Sequence, residues 1–154
     1  MVSNDTEETA LENETKRIET KKEVEAYLAK LRYVIQNGAE IKFQQDRELE
    51  KGRPIEYTNR FTIADLFPSK DPKDALKQEL LTLSVENYIS TNKDIKFPKR
   101  SEMRVFGKEY NGSKEVYIKI RVEILGAAGQ PPLFVMSFHY AIKPFAQEVF
   151  PYKN

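Results

Sequence analysis

Hydrophobic positions follow two different rhythms along this chain. From about Ile18 the apolar residues Val24, Tyr27, Leu28, Leu31, Val34 and Ile35 recur every three or four positions, which places them on one face of a helix. Asn37-Gly38 then ends that helix, because glycine takes the left-handed conformation that closes a C-terminus. Further on, Asp71-Pro72-Lys73-Asp74 is a helix start: Asp71 caps, Pro72 suits the first helical position, and Asp74 favours the positive end of the helix. That helix is expected to run to about Leu81, and Ser84 to cap a second short one through about Ile89. Between these lie a segment from Ala39 to Phe43 without a clear rhythm, a short helix expected over Asp46 to Glu50, a break at Arg53-Pro54, and one helical turn within Phe61 to Phe67.

In the second half the period changes from 3.6 to 2. Glu115 to Ile124 alternates without a slip, so Val116, Ile118, Ile120, Val122 and Ile124 face a core while Tyr117, Lys119, Arg121 and Glu123 face the other way. Strands are expected over about Ser101 to Phe106, Val116 to Leu125 and Leu133 to Ala141. Asn111-Gly112 makes a tight hairpin turn between the first two, and Gly126 to Pro132 a loop between the last two. Beyond Pro144 the tail is expected to cross the sheet through Phe145, Phe150 and Tyr152. Helices followed by an antiparallel meander predict an α+β fold, with the helices on one sheet face and the other face left for function.

The alternation also says which side chains share that second face. Met136, Phe138 and Tyr140 are the bulkier set of the last strand and are assigned to the core, which puts Ser137 and His139 beside Tyr117 and Lys119. Arg104 on the first strand is expected to join them. The result is a cluster of Arg104, Tyr117, Lys119, Arg121, Ser137 and His139, with neighbours across strands about 5 Å apart, close enough to grip one phosphate.

Composition narrows the field. One domain is the expectation for 154 residues, and 32% charged residues against 40% hydrophobic describe a highly charged chain. The absence of cysteine excludes disulfides, thiolate metal sites and a catalytic thiol, and a single histidine excludes multi-histidine metal sites. Nothing suggests a cofactor. The chain contains no apolar run of roughly 20 residues and begins with a polar, acidic stretch where a signal peptide would be basic and then apolar. A cytoplasmic protein without a membrane partner is the expectation, encoded by a prokaryote or a phage. Residues 1–16 read as a flexible acidic tail and 17–154 as the domain. Residues 1–25 carry eight acids and four bases, a net charge of −4, and residues 88–121 carry nine bases and four acids, a net charge of +5. A locally basic surface suits nucleic-acid binding, and the opposite charges permit the tail to shield it.

The strand motifs carry a resemblance. Val116-Tyr117-Ile118-Lys119-Ile120-Arg121-Val122, the later Met136-Ser137-Phe138-His139, the segment Phe61-Thr62-Ile63-Ala64-Asp65-Leu66 and the segment Leu83-Ser84-Val85-Glu86-Asn87-Tyr88 together resemble the MqsR toxins over roughly residues 24–140. The resemblance implies a microbial RNase or RelE-like toxin architecture, an endoribonuclease acting on mRNA, and a cognate antitoxin as partner. Tyr117 matches the family's functional tyrosine and Lys119 its lysine two residues on. Arg104 falls where the family has a glutamine, His139 stands in for a lysine, and Lys93 lies near the position of another lysine. Metal-free RNA cleavage needs a base, an acid and cations for the phosphorane, and His139 is the side chain with a pKa suited to proton transfer at neutral pH. Tyr117 would orient the phosphate or donate a proton, Arg104 would grip phosphate oxygens, and Lys119, Arg121, Ser137 and Lys93 would bind RNA. The competing readings are a non-catalytic factor that binds nucleic acid or inhibits a protein, and a small ligand-binding domain.

Overall fold

The computed structural model describes residues 13–45, 54–123, 132–146 and 149–153. Among these, three α-helices pack against a six-stranded sheet, so the α+β expectation holds. The strands are β1 (Glu14–Arg17), β2 (Ile41–Phe43), β3 (Tyr88–Asp94), β4 (Met103–Tyr110), β5 (Lys114–Val122) and β6 (Leu133–Tyr140), in spatial order β1-β3-β4-β5-β6-β2. Every neighbouring pair is antiparallel except β2 with β6.

Helix α1 (Lys21–Gln36) begins three residues later than the periodicity suggests, because Thr20 caps it. The Thr20 hydroxyl accepts from Glu23 N at 3.1 Å and the Glu23 carboxylate accepts from Thr20 N at 2.9 Å. Its apolar stripe, from Val24 to Ile35, meets Phe106, Ile118, Ile120, Val122, Leu133 and Val135 in one continuous core. Helix α2 (Asn59–Leu66) is longer than the single turn expected and is capped by Thr58. Helix α3 (Pro72–Leu80) starts as predicted, with Asp71 accepting from Lys73 N and Asp74 N and proline at the first turn.

The short helix expected after Ser84 is a single 3₁₀ turn, Val85–Asn87, and the chain then enters β3. Tyr88-Ile89-Ser90-Thr91-Asn92 is buried throughout and broken by a bulge between Tyr88 and Ser90, so it shows no alternation to mark it as a strand. Similarly, the expected flexible tail enters the sheet before its predicted end, since Glu14 to Arg17 pairs with β3. At the hairpin, Asn111 and Gly112 have φ of 52° and 82°, the left-handed pair that a tight turn requires. The helix expected over Asp46 to Glu50, the end of the strand expected to reach Leu125 and the loop expected from Gly126, as far as residue 131, lie outside the described residues.

The β6 edge is finished by a strand and then by a helix. Along β6, β2 pairs with the first three residues, after which Asn59 of α2 replaces a strand. Its amide donates to Met136 O at 3.0 Å and to Gln44 O at 2.7 Å, and its oxygen accepts from Phe138 N at 2.9 Å. Thr62 Oγ1 then accepts from Tyr140 N at 3.0 Å. Such pairing satisfies an edge that would otherwise invite aggregation. On the face away from the helices, the C-terminal tail packs across the sheet as expected. Phe145 and Phe150 lie over Gly107, where a Cβ would come within 2.8 Å of the Phe145 ring, whereas Tyr152 reaches the helix side, stacking on Tyr88 with ring centroids 6.1 Å apart and donating to Glu19 O. The face expected to be open for function is therefore partly covered, at Gly107 beside Tyr117, by the chain's own C-terminus.

Candidate functional site

The pairing register decides which predicted residues meet. Tyr117 lies directly opposite His139, and Lys119 opposite Ser137, so these four share the face away from the helices. Their rings stack, with Tyr117 and His139 centroids 5.5 Å apart and planes inclined by 24°. His139 Nδ1 lies 3.0 Å from Tyr140 O, which fixes the ring's orientation. Arg121 shares the face two residues on, its guanidinium 4.6 Å from the Phe134 ring centroid and 3.4 Å from Glu123. Burial pushes the Arg121 guanidinium below its ordinary pKa, against the pull of Glu123.

Two predicted members are elsewhere. Arg104 stands opposite Ile120 on one side and Thr91 on the other, and so projects to the helix face. There it forms a two-point ion pair with Glu19, Nε to Oε1 at 2.9 Å and the terminal nitrogen to Oε2 at 3.2 Å, and its guanidinium carbon sits 4.3 Å above the Tyr27 ring. Burial would raise the Glu19 carboxyl pKa, but hydrogen bonds from Arg104 and Thr91 outweigh it and hold the group below its ordinary range. Lys93, opposite Thr15, follows the parity of Arg104 and is exposed. The misplacement has a physical cause: Met103 and Val105 are as deeply buried on one face of β4 as Phe106 is on the other, so bulk gave no parity.

A bulge corrects a second assignment. The β5–β6 register shifts between Lys119 and Ile120, which aligns Ile120 with Val135 and leaves Met136 as the extra residue. Val135 and Phe138 consequently enter the core, whereas Met136 does not. Because the shift falls between Val135 and Ser137, it keeps Ser137 and His139 beside Lys119 and Tyr117.

The face is enclosed. His139 is 1% exposed, Ser137 1% and Lys119 2%. Lys119 Nζ donates to Glu14 Oε2 at 2.6 Å, and Asn92 Nδ2 donates to Glu14 Oε1 at 2.9 Å. Ser90 Oγ donates to Asn92 Oδ1 at 2.9 Å, completing a polar line from β3 through β1 to β5. Glu14 and Asn92 are thus site residues that sequence reasoning missed. Glu14 sits in a charged, acidic stretch that reads as solvated, and nothing local marks it as the partner of a lysine 105 positions away.

A separate cleft of about 590 Å³ opens between α2, the β4–β5 turn and the start of the tail, lined by Glu56, Tyr57, Phe61, Asp65, Lys114 and Tyr140. Tyr140 Oη donates to Asp65 Oδ2 at 2.6 Å, and Lys114 Nζ lies 3.2 Å from the same oxygen. Hydrogen bonds from Tyr140 and Lys114 pull the Asp65 carboxyl below its usual range, while burial and Asp65 push the Tyr140 phenol up. No group of three or more acidic or histidine side chains is placed to hold a metal among the described residues. Nor, among them, is any helix long and apolar enough to cross a membrane.

Comparison with protein-family models, with curated proteins and with solved structures finds no match.

Proposed function

We propose that the protein is a toxin-like endoribonuclease that cuts RNA through the ribose 2′-OH without a metal, held in a latent form. The observation that carries this reading is the juxtaposition of Tyr117, His139, Lys119 and Ser137 on two adjacent central strands. Together they supply a proton-transfer group, a phenol, a cation and a hydroxyl within reach of one phosphodiester. His139 would move the proton, Tyr117 stacked on it would orient the phosphate, and Lys119 would stabilise the phosphorane charge. Arg104 takes no part, because it is engaged with Glu19 on the opposite face.

Latency follows from Glu14. Its carboxylate is an anion resting on Lys119 Nζ, where the reading places an RNA phosphate. Cleavage requires the β1 segment to give up that contact, and a cognate antitoxin would then bind the exposed face. The burial of His139 favours a second reading, in which the protein binds nucleic acid or another protein without cleaving.

Incubating the purified protein with labelled mixed-sequence RNA in EDTA separates the two. Cleavage by the wild type that Tyr117→Phe and His139→Ala abolish, with both variants folded by circular dichroism and binding RNA as before, supports the ribonuclease. RNA bound and left intact supports the second.

A further inference from the structure

An exposed basic surface of the described chain is the loop joining β3 to β4, Ile95-Lys96-Phe97-Pro98-Lys99-Arg100. It displays two large apolar side chains, Ile95 at 53% and Phe97 at 49% exposure, next to three cations that are likewise exposed. The loop's own hydrogen bonds fix how Phe97 is presented. Asp94 Oδ1 accepts from Lys96 N at 2.8 Å and from Phe97 N at 3.3 Å, and Arg100 N donates to Phe97 O at 3.0 Å. The Arg100 guanidinium lies 3.9 Å from the centroid of the Phe97 ring.

The acids around the loop are occupied. Asp94 is spent on those two backbone groups, and Glu102 takes Arg17 in a two-point pair at 2.9 and 2.7 Å. What faces solvent is therefore an aromatic ring flanked by positive charge. Lys93 adds charge at the end of β3, and Arg121, on the Tyr117–His139 face, feels the charge of Arg100.

We infer that the β3–β4 loop grips single-stranded RNA, with Phe97 stacking on a base and Lys96, Lys99 and Arg100 taking the phosphates. The stacked base must be unpaired, so a single strand is preferred over a duplex. This inference rests on RNA being the substrate, as in the reading above, and adds the element that holds it.

Fluorescence anisotropy with a labelled 2′-O-methyl RNA of about 12 nucleotides, which cannot be cleaved through its 2′ position, measures binding apart from catalysis. Phe97→Ala is expected to weaken binding roughly tenfold. The combined Lys96→Ala, Lys99→Ala and Arg100→Ala variant is expected to lower the slope of log affinity against log salt by about 2, at roughly 0.7 per phosphate contact. Lys73→Ala, on the exposed side of α3, serves as the control expected to change nothing. Wild-type affinity in both loop variants overturns the inference, as does the absence of RNA binding by the wild type. So does Phe97-dependent uptake by phosphatidylserine vesicles without RNA binding, which would make the loop a membrane contact. Loop-dependent binding by a protein that cleaves nothing sustains the inference and sinks the ribonuclease reading. Cleavage with loop variants that bind like wild type does the reverse.

Discussion

Removing one partner of the Glu14–Lys119 pair tests whether the second sheet face is as enclosed as it is described. The two side chains are 7% and 2% exposed with a 2.6 Å contact, so solvent screens them little. An exposed pair would contribute under about 1 kcal/mol, whereas leaving one buried charge without its partner costs about 3–5 kcal/mol. Lys119→Met is therefore expected to destabilise the protein by about 3 kcal/mol, because the Glu14 carboxylate stays buried with Asn92 as its remaining donor among the described residues. For a chain of this size that corresponds to a fall in Tm of roughly 6–12 °C. Glu14→Gln keeps the shape and the hydrogen bond from Asn92 and should cost less. Adding Glu14→Leu to Lys119→Met should recover most of the loss, since a buried ion pair exchanged for apolar groups of similar volume is nearly neutral. Urea denaturation followed by circular dichroism on the wild type, Lys119→Met, Glu14→Leu and the double variant yields the coupling energy. A cost below about 1 kcal/mol for Lys119→Met, with additive effects in the double variant, would refute the enclosure and the β1 contact together.

Other outcomes follow from the same geometry. Gly107→Ala brings a methyl to 2.8 Å from the Phe145 ring, so the tail must shift; a loss of about 1–3 kcal/mol and faster proteolysis near residues 143–153 are expected, and unchanged protease resistance would show that the tail does not lie on β4. Asn59→Ala removes three hydrogen bonds to backbone groups, two on β6 and one to Gln44, for an expected loss of about 3 kcal/mol at roughly 1 kcal/mol each, measured by urea midpoint. Glu19 and Glu102 both have carboxyl pKa values held below the ordinary 4.5 in the fold, so their contribution is present above that value and is lost as pH falls through the lowered folded value. The urea midpoint should drop on going from neutral pH to below 4.5, and Glu19→Gln should flatten that drop; an identical pH profile in the variant would contradict the assignment.

The sequence disclosed periodicity well and parity poorly. Helices α1 and α3, the Asn111-Gly112 turn and the alternation of β5 are local signals, and each appears where the residues place it. Strand β3 was hidden because both its faces are covered, which removes the alternation that marks a strand. The face that Arg104 takes is hidden for the same reason, since β4 buries Val105 and Phe106 alike. On β6 the Met136 bulge shifted Val135 into the core, a register change that no local pattern announces. The pairing of Tyr117 with His139 was legible because β5 alternates cleanly and the residues flanking them are bulky. The covering of their face was not, because it depends on chain segments distant in sequence: the tail, with Phe145 and Phe150 over Gly107, and Glu14 on Lys119. Charge totals misled in one respect, since two of the expected phosphate-binding cations, Arg104 and Lys119, turned out to be paired with the acids Glu19 and Glu14 of the N-terminal segment.

The central claim is a ribonuclease face closed by Glu14. Its most direct test is the cleavage rate of labelled RNA in EDTA by the wild type and by Glu14→Gln, with Glu14→Gln/Tyr117→Phe as the inactive reference. The account predicts faster cleavage by Glu14→Gln than by the wild type, and none by the double variant. Intact RNA with both the wild type and a folded Glu14→Gln would contradict it.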